Sequence, residues 1–210
     1  MMLNNVDTIF LSLMRKNLCK DVIYVILNYF CIGLNNDNIH EAVRDYEYYE
    51  YSSILMYGKI EYWKTDKITN MSNLFRYLTL NVYINSWNVS NVTNMNSMFY
   101  ECCNFNQPLD EWNVSNVENM SFMFYNADSF NQPLNTWNVS KVNNMSNMFC
   151  YATEFDQCLN NWNVSNVRTM NNMFFGAISI KKNTNWKINK NTNVNDMYSN
   201  TCLDPLYYND

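Results

Sequence analysis

The six tryptophans of this 210-residue chain fall on one ruler: Trp63, Trp87, Trp112, Trp137, Trp162 and Trp186, at intervals of 24, 25, 25, 25 and 24 residues. A period between about 20 and 50 residues is the signature of a repeat architecture. One copy of this length cannot bury its own aromatic side chains. Copies stacked in register can, because identical columns meet and form a continuous core.

Counting each Trp as column 1, the apolar columns are 1, 3, 6, 9, 12, 13, 16, 19 and 23. Columns 9, 12, 13 and 16 have the spacing of one helix face, as in Met95, Met98, Phe99 and Cys102. Column 8 is Asn70, Asn94, Asn119, Asn144, Thr169 and Asn193, all residues suited to capping a helix start. The stretch from column 19 through Trp to column 3 reads as extended and holds Pro108 and Pro133, which are excluded from helix interiors. The pattern therefore predicts an α/β solenoid, with one short parallel strand and one short helix per repeat of about 25 residues. Its core would be Trp87, Trp112, Trp137 and Trp162, Met98, Met123, Met148 and Met173, and Phe99, Phe124, Phe149 and Phe174. The expected organisation is a helical N-terminal segment and lead-in cap over 1–62, the repeats over 63–198 and a C-terminal cap over 199–210.

Asn is the most conspicuous residue, at 41 of 210, and it keeps register at columns 2, 5, 8 and 20. Asn in register can hydrogen-bond a neighbouring copy's backbone, and it tolerates left-handed backbone in a chain with three Gly. The same register explains the Asn-x-Ser/Thr sequons, which read as repeat rather than as glycosylation sites.

The words Trp87-Asn-Val-Ser-Asn-Val-Thr-Asn-Met-Asn-Ser-Met-Phe99 and Phe105-Asn-Gln-Pro-Leu109, with their counterparts from Trp63 to about Ala177, resemble the BspA-like, leucine-rich-repeat-related family. Its domain was first catalogued as a mycoplasma protein of unknown function. The lead-in Ala42-Val43 and Tyr57-Gly58-Lys59-Ile60-Glu61-Tyr62-Trp63 also fits, with Tyr46 where the family has Trp. The resemblance implies a leucine-rich-repeat-like solenoid serving as a non-catalytic repeat module. Its members occur as bacterial surface lipoproteins or adhesins and in large DNA viruses and protists with A/T-rich genomes.

Nothing in the chain supports catalysis or a cofactor. His40 is the one histidine, the seven cysteines form no C-x-x-C pair, and no Gly-rich phosphate loop or nucleophile elbow occurs. A net charge of −5 argues against nucleic acid. The apolar run from Val22 to Leu34 is too short to span a membrane and lacks the flanks of a signal peptide. It reads as a helical cap. Residues 18–30 also resemble the first helix of an F-box, which implies a ubiquitin-ligase component as a partner. The expectation is a cytoplasmic protein-interaction module (host cytoplasm if viral), with a surface or secreted adhesin and an F-box-like adaptor as alternatives. Recognition should use variable columns, because the constant ones build the scaffold. Tyr100, Tyr125 and Phe175 at column 14, with Glu118 and Arg168 at column 7, are the candidate contacts for a protein partner of unknown identity.

Overall fold

The computed structural model describes residues 33–181 and 185–202; the F-box-like segment 18–30 and the tail beyond residue 202 lie outside the described residues. Helix α1 (Ile39–Tyr48) buries Ile39, Ala42, Val43 and Tyr46, the i, i+3, i+4, i+7 stripe of an amphipathic helix. Helix α2 (Glu50–Tyr57) ends where Gly58 takes φ 78 and donates its N–H to the Ile54 carbonyl. Ser53 Oγ donates to the Ala42 carbonyl between the two helices. A single 3-10 turn, Ile60–Tyr62, leads to Trp63. Its indole N–H donates to the Gly58 carbonyl at 2.9 Å.

From Trp63 onward the structure corrects the predicted α/β solenoid. Among the described residues the only helices precede the first repeat, and no strand forms in any repeat. Parallel pairing is confined to isolated bridges, Asn70 to Asn94, Asn94 to Asn119, Asn119 to Asn144, Asn144 to Thr169 and Thr169 to Asn193. Each repeat is instead a coil of linked turns, and consecutive coils stack.

The expected helix fails because its amides are shared between two coils. Over columns 8–16 alternate N–H groups leave the coil: Met95, Ser97, Phe99 and Glu101 donate to the carbonyls of Asn119, Ser121, Met123 and Tyr125. The residues between them close turns, as Met98 donates to Met95, Tyr100 to Ser97 and Cys102 to Phe99. An α-helix needs all these amides for its own i→i−4 ladder. Columns 11 and 15 also turn left-handed, as at Ser97 (φ 54) and Glu101 (φ 55), which a helix cannot accommodate. A type II turn requires this sign of φ at its third residue. Column 8 does cap, but it caps a turn: Asn94 Oδ1 accepts the N–H of Asn96, and Asn119 and Asn144 do the same for Ser121 and Ser146.

The expected strand fails because side chains replace its ladder. At column 20, Asn106 Oδ1 accepts the backbone N–H of Asn131, and Asn131 Oδ1 accepts that of Asp156, both at 3.0 Å. Gln132 and Gln157 donate into the same column. From Trp112 onward the indole N–H reaches back one coil, as Trp112 does to Ile84, Trp137 to Leu109 and Trp162 to Leu134. The rings stack accordingly. Trp137 and Trp162 lie 6.4 Å apart at 1°, and Phe75, Phe99, Phe124, Phe149 and Phe174 form a column at 5.3–5.6 Å. Trp87, Trp112, Trp137 and Trp162, the four methionines Met98, Met123, Met148 and Met173, and these phenylalanines are all buried.

The first coil is closed by the helical lead-in. Asn36 Oδ1 accepts the N–H groups of Thr69 and Asn70, and its Nδ2 donates to Thr69 Oγ1. His40 Nε2 bonds the Ser72 carbonyl at 2.8 Å, and Glu47 accepts from the N–H and hydroxyl of Thr79.

Candidate interaction surface

Columns 14 and 15 follow the buried Phe column, and the residue at 15 has positive φ in each coil. Their rings join into one ribbon. Tyr77 meets Tyr100 edge-on at 5.5 Å, and Tyr100 stacks on Tyr125 at 4.6 Å and 6°. Tyr125 meets Tyr151 edge-on at 5.9 Å, and Tyr151 meets Phe175 edge-on at 5.5 Å. Phe122, from column 11, leans on both Tyr100 and Tyr125. Arg76 closes the N-terminal end with its guanidinium 4.7 Å from the Tyr77 ring centre and 4.5 Å from that of Tyr100. Its Nη1 donates to Asn73 Oδ1 and its Nη2 to Tyr77 Oη, so the planar group is held in place.

The ribbon is half open to solvent. Tyr77 is 56% and Tyr151 40% exposed, while Tyr100, Phe122, Tyr125 and Phe175 are intermediate. Burial pushes the Tyr100 and Tyr125 hydroxyls above the ordinary tyrosine range, reinforced by Glu101 beside Tyr100 and by Cys150 beside Tyr125. Both therefore remain neutral donors at physiological pH.

Tyr100, Tyr125 and Phe175 thus lie on one surface, but they are not directly consecutive. Column 14 of the intervening coil is Cys150, which is buried, and Tyr151 bridges the gap from column 15. Glu118 and Arg168 are placed elsewhere. Both are exposed and line a separate polar groove of about 500 Å³ with Lys141, Asn143 and Asn166, a groove to which no ribbon residue contributes. Tyr77, Phe122 and Tyr151 were not singled out from sequence. Reading columns 11 and 15 as left-handed corners, which their Asn and Gly occupants Asn73, Asn126, Asn147 and Gly176 signal, would have found them.

Among the described residues no group of three His, Cys, Asp or Glu side chains could hold a metal ion, and no helix is long and apolar enough to cross a membrane. Among the described residues the free thiols are Cys102, Cys103, Cys150, Cys158 and Cys202. Burial holds the Cys102 and Cys150 thiols up at about 12, so neither supplies a thiolate.

A family model described as a mycoplasma protein of unknown function, DUF285, matches residues 45–150 and 132–203. The chain belongs to this family. The DUF285 match begins inside α1 and runs through every stacked coil, so the ribbon lies wholly within it. Searches of curated proteins and of solved structures returned no match.

Proposed function

We propose that this DUF285 chain is a non-catalytic protein-binding module whose contact surface is the aromatic ribbon from Tyr77 to Phe175. One observation carries the reading: five rings from successive coils touch edge to face or stacked along an outer face, with Tyr77 and Tyr151 substantially exposed. Rigid aromatics offer large contact area at small entropic cost and recur as binding hot spots. The repeat words that resemble the BspA-like family favour the same class of activity. Cytoplasmic placement belongs to this proposal; a surface or secreted adhesin, and an F-box-like adaptor acting through residues 18–30, are its alternatives.

Selection of a random-peptide display library separates the ribbon from the polar groove. Peptides enriched on the wild-type chain should be lost on a Tyr77→Ala/Tyr151→Ala variant and kept on a Glu118→Ala/Arg168→Ala variant. Both variants change exposed side chains, and matching thermal melts establish that they fold. The reverse pattern, or no enrichment on the wild-type chain, defeats the proposal.

A further inference from the structure

A second feature lies at the N-terminal end of the ribbon. A pocket of about 430 Å³ opens between α1 and the first coil, lined by His40, Arg44 and Tyr48 from the helix and by Asn73, Arg76 and Tyr77 from the coil. His40, Arg44 and Tyr48 are four residues apart and so share one stripe of α1. The remaining lining residues are Leu74 and Leu78, so no carboxylate lines a pocket to which two arginines contribute, in a chain of net charge −5. Glu47, on the same helix, is engaged by Thr79. Neither Arg44 nor Arg76 is ion-paired among the described residues.

We propose that this pocket binds an oxyanion, a carboxylate or a phosphate, borne on an aromatic or apolar group. Arg76 is the anchor. Two of its N–H groups are spent on Asn73 Oδ1 and Tyr77 Oη and its faces on two tyrosine rings, which fixes the guanidinium and leaves its remaining donors for a ligand. A fixed fork forfeits little entropy on binding, and arginine suits carboxylate and phosphate oxygens geometrically. Arg44 supplies the second charge from α1. Tyr48, 69% exposed, and Tyr77 offer the ligand's apolar part a seat. The inference deepens the ribbon proposal: an acidic or phosphorylated side chain of a bound segment would enter the pocket while its apolar neighbours run along the rings.

The test is ¹⁵N NMR of the full chain, following the arginine Nε–Hε resonances during titration with phenylacetate, phenyl phosphate and benzyl alcohol. Either anion should move Arg44 and Arg76 and leave Arg168 unmoved, and the tighter of the two identifies the oxyanion. Arg44→Gln should weaken that binding by about tenfold, the loss of one charge-assisted contact. Benzyl alcohol moving the two arginines as far as the anions do, equal movement at Arg168, or no movement with either anion overturns the pocket. Its failure is distinct from failure of the ribbon, because the display selection reads Tyr77 and Tyr151 without any anionic probe.

Discussion

At column 15 a residue with positive φ recurs in every coil, yet only one coil uses glycine there. Tyr77, Glu101, Asn126, Tyr151 and Asn200 all accept φ between 53 and 65 with side chains attached. Such backbone costs an L-residue on the order of 1–2 kcal/mol, so the cross-coil hydrogen bonds must outweigh it. Gly176 (φ 69) is glycine for a further reason: a Cβ there would lie 2.5 Å from Cδ1 of Tyr151, whose ring rests on the bare backbone. Gly176→Ala should therefore lower stability by at least about 1 kcal/mol in urea titration and shift the Tyr151 ring resonances. Unchanged stability and resonances would mean that the ring is not seated there. Residue by residue the sequence was half legible. Column 14 pointed to Tyr100, Tyr125 and Phe175, but Tyr77 and Tyr151 sit on backbone whose handedness apolar spacing does not encode.

At the scale of the repeat, periodicity could not distinguish a helix from a chain of turns. Met120, Met123, Phe124 and Ala127 all point inward with helix spacing. Turns whose left-handed corners recur four residues apart, at columns 11 and 15, bury the same columns. What separates the two is where the amides go, and that depends on a partner coil lying 24 or 25 residues away. The strand expectation failed for a related reason: extended character is local, whereas a ladder needs backbone partners, and here Asn and Gln side chains occupy that place. Asn131 is representative of these, its Oδ1 accepting both the Asp156 N–H and Gln157 Nε2. Asn131→Ala should cost about 1–2 kcal/mol and selectively accelerate hydrogen exchange at the Asp156 amide. Exchange accelerated equally at all coils would show that column 20 has no local holding role.

For the molecule as a whole, the buried acids predict an asymmetric pH profile. Burial raises Cys102 and Cys150 from an ordinary value near 9.0 to about 12, and it also raises Tyr46, Tyr57, Tyr100 and Tyr125. In each case the folded chain favours the protonated form. The stability they contribute is complete below the unfolded values and is lost as pH climbs toward the folded ones. Melting temperature should fall steadily between about pH 9 and pH 11. A flat profile over that range would show that these groups are as free to ionise in the fold as in the unfolded chain.

The alternation of donors over columns 8–16 gives each coil a phase. One extra residue there would send an amide meant for the neighbour back into its own turn, and every later donor would be out of step. Length can vary only where that phase is not read. Both 24-residue intervals obey this: the first is one residue short between Leu78 and Asn81, the last between Lys181 and Trp186, and both lie beyond column 16. The chain thus has a reading frame of its own, written in hydrogen-bond direction, and its two shorter repeats give up a residue outside that frame.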